Sequence, residues 1–250
     1  MTLKRKIKIL FEGIVVPYSI FILLFSITYV ILKKVLSCNF NDLMIQSISN
    51  FFSILILAPL YISFIKKYHI ESDEFSFKRA FYMIPLAFSI CILCNILIGF
   101  IPDQPINQVT IQAKEITDEY NVQTTLLLVA IVTPIIEELL FRGFVFDTVL
   151  KLSNSIIAII STSLLFAIAH GNIQQGLYAF FAGIFLAYIK YKFKKIIYPI
   201  IMHLLMNLTT LVFLPTINEI TNLSELFFII FIMVSILFVT MLRINYQNKY

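Results

Sequence analysis

Polar breaks divide this 250-residue chain into eight apolar runs, each about as long as a helix that crosses a bilayer. Roughly 20 mostly apolar residues span the hydrocarbon core as an α-helix. In lipid a backbone must satisfy its own hydrogen bonds, which leaves helices and closed barrels as spanning structures. The runs cover residues 9–32, 44–65, 80–101, 123–150, 155–172, 174–190, 196–213 and 224–242. The fold class that follows is all-α: a polytopic membrane protein with about eight transmembrane helices in one bundle. Residues 1–250 read as a single transmembrane domain, with no room for a soluble one. Composition agrees, since 60% of residues are hydrophobic and 13% charged, against roughly 25% charged in a soluble domain.

Lys4, Arg5, Lys6 and Lys8 ahead of the first run imitate a signal peptide, but the run is too long and no small-residue cleavage site follows. It reads as the first span. Positive residues accumulate on the cytoplasmic side of membrane proteins. With the N-terminus inside, 15 of the 19 Lys and Arg residues fall in cytoplasmic segments, including Lys66, Lys67, Lys78, Arg79, Lys151, Lys190, Lys192, Lys194 and Lys195. Both termini are therefore expected in the cytoplasm. The acidic connections Asp103 to Glu119 and Glu219 to Glu225 then lie outside, and the discordant Lys33 and Lys34 snorkel from the end of span one. Topology accounts for the net charge of +5, so nucleic acid is not expected as a partner. The partners are the lipid bilayer and whatever the spans recognise. Cys38, Cys91 and Cys94 imply no disulfide framework. The C-x-x-C of Cys91 and Cys94 sits in an apolar span, where free cysteine is an ordinary small packing residue.

Ionisable residues concentrate in the second half. Glu137, Glu138 and Arg142 fall in the fourth run, His170 in the fifth and His203 in the seventh. Intramembrane charges are expensive and point to function. Glu138 and Arg142 stand at i, i+4 and share a helix face, whereas Glu137 is turned about 100° away. The expectation is a buried Glu138–Arg142 pair with Glu137 free. Phe166 and His170, and likewise His203 and Asn207, are also i, i+4 pairs. Each alone fits plain helix packing. Together, a carboxylate, two histidines and an amide in three spans are the groups needed for water activation and oxyanion stabilisation.

Two mechanisms use them. In one, Glu137 and His170 polarise a water that attacks a peptide carbonyl, and His203 with Asn207 donates to the oxyanion; this needs no cofactor. In the other, Glu137, His170 and His203 hold one catalytic zinc ion with a water in the fourth position. The chain has no His-Glu-x-x-His, which favours the metal-free version.

Glu137-Glu138-x-x-x-Arg142, Phe166-x-x-x-His170 and His203-x-x-x-Asn207, in this order in three spans, resemble the three motifs of the CAAX protease and bacteriocin-processing family of intramembrane endopeptidases. The resemblance covers a core of residues 123–213, including His170-Gly171-Asn172-Ile173-Gln174-Gln175-Gly176. It implies an eight-helix fold and an intramembrane protease that cleaves membrane-associated or secreted peptides. Catalytic roles then fall to Glu137, Glu138, His170, His203 and Asn207, with Arg142 and Phe166 in support. Family roles include bacteriocin maturation, self-immunity and processing of signalling peptides. The abundance of Ile, Lys, Asn, Phe and Tyr fits an AT-rich bacterial genome, hence a multi-pass protein of a bacterial plasma membrane. The rival readings are a non-catalytic immunity or scaffold protein and a proton-coupled transporter; the internal repeats common in transporters are not found.

Straight helices normal to the bilayer would keep the motifs apart. Glu137 would lie near mid-membrane, His203 about 10 Å from one edge at 1.5 Å per residue, and His170 at the other end. Spans five and six must therefore join within the membrane, or a polar cavity must reach in.

Overall fold

A computed structural model describes residues 1–36, 42–99, 128–212 and 223–246. The described residues fold into eight helical rods. We label them α1 (3–36), α2 (Asp42–Tyr68), α3 (77–99, with a break at Tyr82), α4 (128–152), α5 (Ser155–Ala169), α6 (Ile173–Phe193), α7 (Ile197–Val212) and α8 (Leu223–Tyr246). The protein is an all-α membrane bundle. By length and composition, three stretches of the described residues are sufficient to cross a bilayer: Leu3–Val35, Met44–Tyr68 and Phe77–Ile96. Shorter apolar helices accompany them at Ser155–Ala169, Ile197–Leu211 and Ile229–Ile244. The expected outer connection at 103–121, the start of the fourth run at 123–127, Cys38 and most of Glu219 to Glu225 lie outside the described residues.

The expectation of a plain helix over 123–150 needs correction. Within α4, Leu128–Val132 and Leu139–Val145 are π-helical, and Thr133–Glu138 and Phe146–Leu152 are α-helical. The Phe146 N–H bonds back to the Phe141 carbonyl, five residues earlier. A second π-helical stretch, Phe11–Val15, interrupts α1. Such wide turns arise where one residue more than an α-turn holds must be accommodated, and they gather at functional sites.

Two apolar cores flank α4. One joins α1, α2 and α4 through Ile9, Leu57, Phe64, Ile136, Leu140 and Phe144. The other joins α3, α6, α7 and α8 through Leu86, Ile90, Leu186, Met202, Met206 and Ile244. In lipid, helices associate by close packing and small residues rather than by escape from water. Accordingly α6 carries Ala179, Gly183 and Ala187 at i, i+4, i+8, all buried, facing Ala158, Thr162 and Ser163 of α5. A Cβ on Gly176 would stand 3.1 Å from the Ala167 carbonyl, so the two helices nearly touch there.

The α5–α6 joint is three residues long, His170 to Asn172. Gly171 takes the left-handed conformation with φ +75°, which suits glycine. Asn172 caps α6 by accepting from the Gln175 N–H at 2.8 Å, and Asn154 caps α5 from Ile157 at 3.0 Å. Ile168 and Ile173 flank the joint with exposed apolar side chains. Those flanks suit hydrocarbon better than water.

Candidate functional site

α4 lies between the two cores, and its Glu138 and Arg142 are completely buried. Arg142 Nη1 donates to Glu138 Oε1 at 2.9 Å, so the expected ion pair forms. Two further contacts fix the guanidinium. Its Nη2 donates to the Gly183 carbonyl of α6 at 3.3 Å, and its carbon lies 4.2 Å from the centre of the Phe166 ring on α5. The planar guanidinium suits simultaneous forked bonding and ring stacking, which an ammonium does less well. A Cβ on residue 183 would lie 3.0 Å from Nη2 and 3.2 Å from the Ser163 Cβ. Glycine lets α6 come this close and offer its carbonyl without displacing either neighbour.

The same Glu138 oxygen has a second partner that i, i+4 spacing does not reveal. His203 Nδ1 on α7 lies 2.9 Å from Glu138 Oε1. Its other nitrogen, Nε2, is 3.7 Å from Glu137 Oε2, within ion-pair range and beyond a hydrogen bond. The imidazole therefore sits between the two carboxylates. With Glu138 ionised and paired to Arg142, Nδ1 carries a proton and donates. Two carboxylates and one guanidinium leave one negative charge, so a single further proton, on His203 or Glu137, makes the cluster neutral. Glu137 differs from Glu138 in its surroundings: 27% of its side chain is exposed, against none for Glu138. No hydrogen bond links Glu137 to a described residue.

His170 closes α5. Its Nδ1 is 2.8 Å from the Phe166 carbonyl; a carbonyl can only accept, so Nδ1 carries the proton and Nε2 of the neutral ring is free to accept one. Phe166 stands between the two histidines. Its ring meets His170 edge-on at 4.6 Å and His203 at 5.8 Å. Both histidines are within electrostatic reach of Glu137. Asn207, half-buried one turn after His203, is partnered as well. Six of the motif residues, Glu137, Glu138, Arg142, Phe166, His170 and His203, thus belong to one neighbourhood, despite the separation that straight helices imply.

Glu138 Oε2 and Arg142 Nε are buried without a protein partner among the described residues. A zinc ion would have to be held by Glu137, His170 and His203. No group of three His, Cys, Asp or Glu side chains among the described residues is arranged to hold a metal. Nδ1 of each histidine is engaged with the Glu138 carboxylate or the Phe166 carbonyl, so a metal would be met through Nε2.

Sequence reasoning missed Gly183, although the small-residue spacing of Ala179, Gly183 and Ala187 signals it. It also missed Tyr18 of α1, whose ring packs edge-on against Phe141 at 5.9 Å. A second buried polar group, Asp147 with Lys190 and Tyr61, belongs with these omissions. An acid within the fourth run and a lysine ending the sixth are its signals in the sequence.

Residues 121–209 match the family model described as type II CAAX prenyl endopeptidase Rce1-like. Over 96 residues the chain is 31% identical to a curated protein of Bacillus subtilis (strain 168) named "Putative membrane peptidase YdiL". That match covers 38% of this chain and 38% of the relative. No solved structure matches. Through residues 121–209, which carry all seven motif residues, this multi-pass membrane chain is similar to the type II CAAX prenyl endopeptidases, and its match spans well under two thirds of the curated relative's length.

Proposed function

We propose that the protein is an intramembrane endopeptidase that hydrolyses a peptide bond of a membrane-associated or secreted substrate, with Glu137 as the base. The observation that carries this reading is the contrast between the two adjacent carboxylates. Glu138 is fully buried and bonded to Arg142 and His203, whereas Glu137 is partly exposed, without a hydrogen bond among the described residues, and close to His203 Nε2. A base needs access to water and a free lone pair; Glu137 has both.

Glu137 and His170 Nε2 accept the two hydrogen bonds of the attacking water and polarise it, and Glu137 takes up the proton it releases. His203, held by Glu138, and Asn207 donate to the oxygen of the tetrahedral intermediate, and the proton on the base then passes to the leaving amine. Arg142 and Phe166 keep Glu138 and both imidazoles in place. Each group performs an ordinary step of acyl transfer, in a buried setting where low dielectric strengthens every charge interaction. Bacteriocin maturation, self-immunity and signalling-peptide processing are the settings we favour for the substrate.

The test compares membrane and secreted peptides from cells carrying the native chain with those from cells carrying Glu137→Gln. Gln keeps volume and removes the base. A peptide that accumulates uncut only with the variant, while the purified variant melts like the native protein, supports the reading. Identical peptide profiles would overturn it. For the metal-free form, cleavage should survive exhaustive chelation with no zinc found by elemental analysis; loss on chelation and recovery with zinc would overturn that form alone.

A further inference from the structure

At the lysine-rich end of α4 lies a second set of buried charges that the proposed reaction does not use. Lys190 Nζ of α6 lies 2.8 Å from Asp147 Oδ1 and donates to Oδ2 at 3.0 Å. The Tyr61 hydroxyl of α2 donates to the same Oδ2 at 2.5 Å. All three residues are buried. Burying an ion pair costs desolvation that apolar side chains of similar volume would avoid, so helix packing alone does not account for the choice.

The Asp147–Lys190 pair lines a cavity of about 350 Å³ together with Phe146, Leu150 and a charged rim. The rim carries His69, Glu71, Lys151 and Lys194. At ~30 Å³ per water the space equals roughly ten waters, enough for a phosphate and a small alcohol headgroup. Lys194 pairs with Glu71, but both side chains are well exposed; such surface pairs are weak and open readily to a competing anion. Lys151 has no carboxylate partner among the described residues. Lys190 faces only one carboxylate although an ammonium has three N–H donors, which leaves it capacity for a ligand oxygen. Asp147 is meanwhile occupied by Lys190 and Tyr61. Basic pockets between membrane helices at this kind of surface take lipid phosphates.

We propose that this cavity is a phosphate-binding site, with Lys151 and Lys194 at the mouth and Lys190 at the floor, filled by a phospholipid headgroup or by free phosphate. The inference does not rest on proteolysis. It is tested on the full chain in neutral detergent by thermal unfolding with short-chain phosphatidylglycerol, with short-chain diacylglycerol lacking the phosphate, or with inorganic phosphate. A rise of about 5 °C is expected at saturation with a phosphate carrier and not with diacylglycerol. A rise with phosphatidylglycerol alone identifies the lipid, and an equal rise with inorganic phosphate identifies the free anion. The Lys151→Gln, Lys194→Gln double variant should lose the rise, whereas Lys33→Gln, Lys34→Gln should keep it. No rise from either carrier, an equal rise from diacylglycerol, or a full rise in the Lys151, Lys194 variant would overturn the proposal.

Discussion

His203 Nδ1 and Glu138 Oε1 stand 2.9 Å apart, so one carboxylate oxygen ties α7 to α4 while holding Arg142 of its own helix. Neither contact is independent of the other. Removing His203 leaves Glu138 with Arg142 alone, and removing Glu138 strands both partners in a buried place.

That sharing makes the two residues thermodynamically coupled. A double-mutant cycle with Glu138→Gln and His203→Gln should give an interaction term of about 0.5–3 kcal/mol, measured by reversible unfolding in detergent. Strictly additive losses would show that the bond contributes nothing.

Arg142→Ala should destabilise the protein by about 3–5 kcal/mol, because it leaves a buried carboxylate without its cation. Glu137→Gln should change stability by no more than about 0.5 kcal/mol, since that side chain is partly exposed and makes no hydrogen bond among the described residues. Unfolding midpoints of the two variants compared side by side test the division between a structural and a chemical carboxylate. Equal losses would refute it.

Gly183→Ala should cost about 1–3 kcal/mol through overpacking, because the new methyl would press on Arg142 Nη2 and the Ser163 Cβ. It should also reduce cleavage, as Arg142 moves and Glu138 with it. Unaltered stability and cleavage would mean that α6 yields freely at this point.

Gly13 and Thr148 make the tightest glycine contact among the described residues. A Cβ on residue 13 would lie 1.9 Å from Thr148 Oγ1 and 2.9 Å from the Phe64 ring. Gly13→Ala should therefore cost about 1–3 kcal/mol, and adding Thr148→Ala should recover part of the loss. Calorimetric or fluorescence-detected unfolding of the three chains is sufficient; no recovery in the double variant would place the conflict at Phe64 instead.

The sequence carried the helical rods and the Glu138–Arg142 pair, because both follow from periodicity. Apolar runs set the rods, and i, i+4 spacing set the pair. The His203–Glu138 bond was not legible, since it depends on how α7 is rotated and raised against α4, and nothing local in either segment states that. His170 is similar: straight rods put it far from Glu137, and only the short joint at Gly171 with the Phe166 ring between the imidazoles brings the motifs together. Gly183 lay in plain view within a small-residue repeat, yet its partner, an arginine 41 positions earlier, is a tertiary fact. The wide turns of α4 leave no mark that hydrophobic patterning can read.

Those wide turns bear on which lengths of α4 are tolerated. Between Leu139 and Val145 the backbone accommodates a surplus residue, and Arg142 above and Asp147 below nonetheless reach their separate partners on α6, the Gly183 carbonyl and Lys190. Deleting one residue between Arg142 and Asp147 would let the wide turns close to α-turns, with the two charges then at i, i+4 and still on the face toward α6. Inserting one residue there would instead turn everything downstream by about 100° and swing Asp147 away from Lys190 while Glu138 stayed in place. The stretch thus has one residue to lose and none to gain.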